Sequence, residues 1–243
     1  MNTFIPDLVA PDELPTQTAL EDKFGGLPWG LPPQLWPVCA DCGLPQTFLS
    51  QFVHHPQRLN LGRPGRMLFA FQCMHDPGVC ETWDGTSGAN ACLVLEPEQL
   101  QDSPTAVPED GVPLELELRV VDWIAQDDGI TPEQAQSFLA RDFDTYLALP
   151  DAVRDLPTGV TRLGSVPLWV QSPEEAPDGN GWRFVGQLEG AHRLQRPPRT
   201  RLNPNDEDGT SLWCDGPNFG GGLAYLFVDT EASPPQGHLF WQC

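Results

Sequence analysis

Apolar and polar positions alternate most clearly across Val112–Ile124, where Leu114, Leu116, Leu118 and Val120 share one side of an extended chain. Such alternation marks a half-buried strand, because successive side chains point to opposite faces. Three shorter runs, Thr47–Val53 (TFLSQFV), Arg66–Cys73 (RMLFAFQC) and Ala91–Glu96 (ACLVLE), are aromatic or β-branched and bounded by Gly, Pro or Asn. They predict strands. After Thr131 the spacing becomes helical: Ala135, Phe138, Leu139, Phe143, Tyr146 and Leu147 form a stripe. Thr131 suits the N-cap, Pro132 the first turn and Gln134 the capping-box position, which predicts one helix over Thr131–Leu149. Pro150 and Pro157 close it. Residues 1–20, acidic and broken by prolines, read as an N-terminal arm lying on the body.

The second half repeats the order of the first. Lys23-Phe-Gly-Gly-Leu-Pro28 returns as Arg162-Leu-Gly-Ser-Val-Pro167, and Phe48-Leu-Ser-Gln-Phe52 returns as Phe184-Val-Gly-Gln-Leu188. Gly65 leading into Phe69-Ala-Phe71 returns as Gly221 leading into Tyr225-Leu-Phe227. The offsets are 139, 136 and 156 residues, so order is kept while loops vary, as in a duplicated unit. The expected fold is α+β and strand-rich, with two similar β-sheet repeats (about 21–100 and 160–243) packed together. A connecting strand and one clear helix occupy 112–150, and the whole of 21–243 forms one domain.

Composition narrows the partners. With 27 prolines and 23 glycines in 243 residues, short strands and turns are favoured over a helical bundle. The net charge of −21 repels phosphate backbones and anionic lipid, which argues against nucleic acid or a membrane surface as partner. It favours a basic protein or peptide client. No run approaches the ~20 apolar residues of a membrane span, and no Lys or Arg precedes Lys23 to make the basic start of a signal peptide. A cytoplasmic protein with reduced thiols is expected, so the seven cysteines read as metal ligands or buried thiols.

Cys39-Ala-Asp-Cys42, followed by Cys73 and Cys80, is the strongest chemical signal. A two-residue gap lets both sulfurs of a knuckle reach one ion, and four thiolates satisfy tetrahedral zinc. Four protein ligands leave no open position, so such a zinc is structural. His75 could replace Cys80 as the fourth ligand. Buried free thiols fit the same residues. A redox pair fits less well, because Pro37 and the Gly43-Leu44-Pro45 turn do not open a helix. Cys92, Cys214 and Cys243 lack partner spacing and read as packing residues.

Pro37-Val-Cys39-Ala-Asp-Cys42-Gly43, then Phe48 and Gln51, then Gly65, Phe69-Ala-Phe71, Cys73 and Cys80 together resemble the YwqG-like bacterial family of unknown function. The cysteine part is also similar to the C-terminal region of the eukaryotic programmed-cell-death-protein-two family. Trp213-Cys-Asp215, Gly221–Phe227 and Phe240-Trp-Gln242 resemble YwqG-like proteins again, so the likeness covers roughly 23–96 and 162–243. It implies an α+β fold of two repeats without a recognised catalytic centre. Members of the eukaryotic family act as dedicated chaperones of a newly made ribosomal protein. Many YwqG-like members lack the cysteines, which implies that zinc is accessory to the fold.

No nucleophile elbow, phosphate loop, dinucleotide fingerprint or H-E-x-x-H is present. His54-His55 before Pro56 reads as a turn, and His192 and His238 stand alone. Asn205–Gly209 lacks the carboxylates of a calcium loop at the required positions and reads as a solvated loop. Arg193, Arg196, Arg199 and Arg201 are a candidate anion clamp, or pair with nearby carboxylates. The expectation is a non-enzymatic binding protein, chaperone-like toward a basic segment, with a structural zinc. The alternatives are an immunity-type protein that neutralises a bacterial toxin and an enzyme acting on an anionic substrate.

Overall fold

The computed structural model describes residues 1–10, 14–76, 78–140, 142–156, 160–174, 181–194 and 212–243. Its strands are β1 (Asn2–Val9), β2 (Lys23–Phe24), β3 (Thr47–Val53), β4 (Met67–Gln72), β5 (Asn90–Leu95), β6 (Leu118–Asp127), β7 (Arg162–Gly164), β8 (Trp182–Glu189), β9 (Ala191–Arg193), β10 (Trp213–Asp215), β11 (Leu223–Asp229) and β12 (Gln236–Gln242). Three short helices follow β6: α1 (Pro132–Phe138), α2 (Phe143–Leu147) and α3 (Asp151–Arg154). Helix content is low and the protein is mostly β.

Ten strands form one antiparallel sheet in the order β12-β11-β8-β7-β1-β6-β2-β3-β4-β5, and β9 and β10 form a separate ribbon. Two separate sheets were expected, but β1 and β6 fuse them. Their register runs from Asn2 opposite Asp127 to Val9 opposite Arg119, with a bulge between Asp7 and Leu8. The expected arm thus contains a central strand. Pro6 within it sits where β1 has already lost its β7 neighbour, which pairs only with Thr3 and Phe4. The sheet curls until its outer strands meet: an added Cβ on Gly237 of β12 would stand 2.6 Å from the Cys92 carbonyl oxygen of β5.

Curling gives the sheet an inside and two covered outsides. Leu68 and Ala70 of β4, with Ala224, Leu226 and Val228 of β11, join the inner core beside Phe24, Phe52, Leu163 and Leu188. The alternate residues Met67, Phe69 and Phe71 face an outer cluster with Trp36 and Phe48, while Leu223, Tyr225 and Phe227 face another beneath α1 and α2. Strands buried on both faces show no polar alternation, which is why these two read as apolar runs.

The repeated motifs occupy matching places in the strand order. Lys23 pairs with Gln51 across β2 and β3, and Arg162 pairs with Gln187 across β7 and β8. The Gln51 side chain accepts from the Trp29 amide at 2.7 Å and donates to the Glu21 carbonyl at 2.9 Å. Gln187 accepts from the Leu168 amide and donates to the Val160 carbonyl, both at 3.1 Å. Two residues along each strand, Val53 N–H donates to the Asp22 carboxylate and Glu189 N–H to the Thr161 hydroxyl. The basic residue that opens each motif is buried and ion-paired, Lys23 with Glu117 at 3.2 Å and Arg162 with Asp128 at 3.5 Å.

Two expected elements differ. The strand drawn over Val112–Ile124 starts only at Leu118, because the Gly25-Gly26 turn crosses residues 115–117. Gly26 N–H bonds the Glu115 carbonyl, and a Cβ on Gly25 (φ +57°) would lie 2.2 Å from the Leu116 oxygen. The single helix over Thr131–Leu149 is broken. Its capping box is present, with Gln134 N–H on the Thr131 hydroxyl and the Gln134 side chain accepting from Thr131 N–H. However, Asp142 caps a second start by accepting from the amides of Asp144 and Thr145. The break leaves Ala135, Phe138 and Tyr146 buried but turns Leu139, Phe143 and Leu147 outward.

Candidate metal centre

Cys39 and Cys42 lie in the loop before β3, Cys73 directly follows β4, and Cys80 lies in the loop before β5. Pro37 and Gly43 shape the first loop: Gln46 N–H bonds the Pro37 carbonyl, and Gly43, at φ +74°, donates to the Cys39 carbonyl. No atom would crowd a Cβ on Gly43, so glycine is needed there for its backbone angle. Asp41 ties the two loops together by accepting from Glu81 N–H at 2.9 Å. Cys73 N–H bonds the Ala89 carbonyl, and Cys80 N–H the Asp76 carbonyl.

The four sulfurs lie within 4.8 Å of one another. Cys42 Sγ stands 3.6 Å from Cys73 Sγ, far beyond a disulfide bond, and all four thiols are free. A tetrahedron with metal–sulfur bonds of ~2.3 Å has edges of about 3.8 Å, so this group fits one four-coordinate ion. Cys39, Cys73 and Cys80 are buried with Ala89, and Cys42 is exposed at the mouth. Burial raises the Cys42 thiol, but the Leu44 amide and the neighbouring thiols together bring it below its usual value. Burial pushes Cys73 up to about 11 and Cys80 higher still. The Cys42 thiolate is thus favoured while those of Cys73 and Cys80 are resisted, and a bound cation would offset that resistance.

His75, considered as a replacement ligand, lies outside this group, and its Nε2 is 2.9 Å from the Pro45 carbonyl. Of the candidate anion clamp, Arg193 has its guanidinium 5.8 Å from the centre of the Trp213 ring. Arg196, Arg199 and Arg201 lie outside the described residues, as does the acidic run Asn205–Gly209. His54 and His55 brace a turn: His54 Nδ1 accepts from Leu61 N–H, and His55 Nδ1 from the amides of Gln57 and Arg58.

Sequence reasoning passed over the polar frame made by Gln51 and Gln187. Their place inside the repeated motif was visible, but their partners lie 22 and 19 residues away. It also read His192 as isolated, whereas the structure sets His192 and Glu189 along one cavity. Among the described residues no helix is long and apolar enough to cross a membrane. Comparison with protein families, curated proteins and solved structures returns no match for this chain.

Proposed function

We propose that this chain is a non-enzymatic, cytoplasmic binding protein, chaperone-like toward a basic protein segment. In this reading one structural zinc, held by Cys39, Cys42, Cys73 and Cys80, staples its first half. The convergence of four sulfurs from two separate loops carries the reading. Zinc suits four thiolates without any geometric demand beyond a tetrahedron, and a closed set of protein ligands leaves no position for substrate. Its binding energy would fix the loops before β3 and before β5 against each other. The basic client rests on the net charge of −21, which steers cations toward the surface. The matching glutamine frames support descent of the two halves from one duplicated unit, and the motifs support kinship with the YwqG-like family.

Elemental analysis of tag-free protein tests the metal. About one zinc per chain is expected, lost in Cys39→Ser, Cys42→Ser together with several degrees of melting temperature. Zinc-free protein from zinc-replete cells, with all seven thiols titratable after unfolding, overturns the site. For the client, affinity capture should enrich basic proteins whose recovery falls with salt, and capture insensitive to salt overturns that half of the reading.

A further inference from the structure

β7 is too short to accompany β1 along its length: it pairs with Thr3 and Phe4 and goes no further. Beyond that point the seam between the halves opens into a cavity of about 340 Å³. Ile5, Leu8 and Ile124 of β1 and β6 contribute its apolar wall. Gln126, Thr161, Glu189 and His192 contribute polar groups from both halves.

Two of these groups carry polar atoms without a partner among the described residues. Among the described residues no hydrogen bond or ion pair reaches the Glu189 carboxyl, and burial alone raises it to about 7. His192 is 4% exposed, and among the described residues its Nδ1 has no hydrogen-bond partner. Burial lowers it to about 4, so the imidazole is neutral at pH 7. Arg193 also lines the cavity, but its guanidinium lies over the Trp213 ring.

A half-buried carboxyl without a counter-charge is costly to ionise, and a cation brought to it recovers that cost. A neutral imidazole, an amide and a hydroxyl offer further acceptors to N–H groups. The net charge of −21 draws cations toward the site and repels anions. We propose that this cavity receives an alkylammonium group, with the Glu189 carboxylate as counter-ion and Ile5, Leu8 and Ile124 around the methylene stem. Long cations bury their stems against apolar surface in this way. A free small amine and a lysine side chain share this chemistry, and only the lysine source rests on the basic-client reading above.

Methyl NMR on isoleucine-labelled protein tests the assignment with pentylamine, Nα-acetyl-lysinamide and hexanoate as probes. Pentylamine should shift the Ile5 and Ile124 methyls saturably, and hexanoate should not. Glu189→Gln, checked for folding by its melting curve, should weaken the amine at least tenfold. Ile124→Lys, at a position 38% exposed, places an ammonium beside the cavity and should abolish binding without touching Glu189. Lysinamide binding as tightly as pentylamine assigns the cavity to a side chain, and binding of pentylamine alone assigns it to a free amine. No saturable shift with either amine, an equal response to hexanoate, or unchanged affinity in Glu189→Gln overturns the proposal.

Discussion

Replacing Gln51 by Leu removes the polar frame of the first half while keeping a side chain of similar size. Gln51 is fully buried, and its amide closes two backbone groups, the Trp29 N–H at 2.7 Å and the Glu21 carbonyl at 2.9 Å. Leucine leaves both without a partner. An orphaned buried group costs ~1–3 kcal/mol, so the pair should cost about 2–6 kcal/mol. For a chain of this size that lowers the melting temperature by roughly 5–15 °C. Urea unfolding at pH 7.5 measures the change, with Gln57→Leu at an exposed turn position as a control expected within ~0.5 kcal/mol of the parent. Gln187→Leu should fall in the same range as Gln51→Leu, since it strips the Leu168 amide and the Val160 carbonyl. A Gln51→Leu protein within ~1 kcal/mol of the parent would refute the claim that these side chains hold the motifs in place.

Gly237→Ala should destabilise by about 1–3 kcal/mol, because the new methyl meets the Cys92 carbonyl oxygen, backbone that cannot turn aside. Unchanged thermal melting would mean that β12 and β5 do not close on each other. Stability should also fall in acid as buried imidazoles are forced to charge. His192 and His238 are both lowered to about 4 by burial, with Asp84 pulling His238 partly back. Their contribution is complete well above pH 6.5, where the unfolded residues are neutral, and is lost as the pH falls toward 4, at roughly 3 kcal/mol each. His192→Phe should flatten that part of the pH profile, and an unaltered slope would contradict it.

Local patterns made much of this protein legible. β3 coincides with the run Thr47–Val53, and β4 and β5 differ from their expected bounds by one residue at each end. The C-x2-C knuckle and the later pair were visible because their spacing suits metal ligands, and the loops do bring their sulfurs together. What escaped depends on distant partners. The apolar content of Phe4, Ile5 and Leu8 was outweighed by the surrounding prolines and acids, and the partners that make Asn2–Val9 a strand, β6 and β7, both lie more than 100 residues later. The stripe from Ala135 to Leu147 had helical spacing, but periodicity does not register that Asp142 prefers to cap a new turn. The fusion of two expected sheets follows from the same β1–β6 pairing, which no local window contains.

The place of β1 sets an order on assembly during synthesis. It is made before both of its sheet neighbours, β6 and β7, which begin at Leu118 and Arg162. As the chain emerges, β2 to β6 can close the first half and take β1 onto the free side of β6. From then until Arg162–Gly164 arrives, β1 presents an open edge at Thr3 and Phe4, ready to pair with any strand that passes. The second half can then be completed against a strand already in place, with the first half as its template.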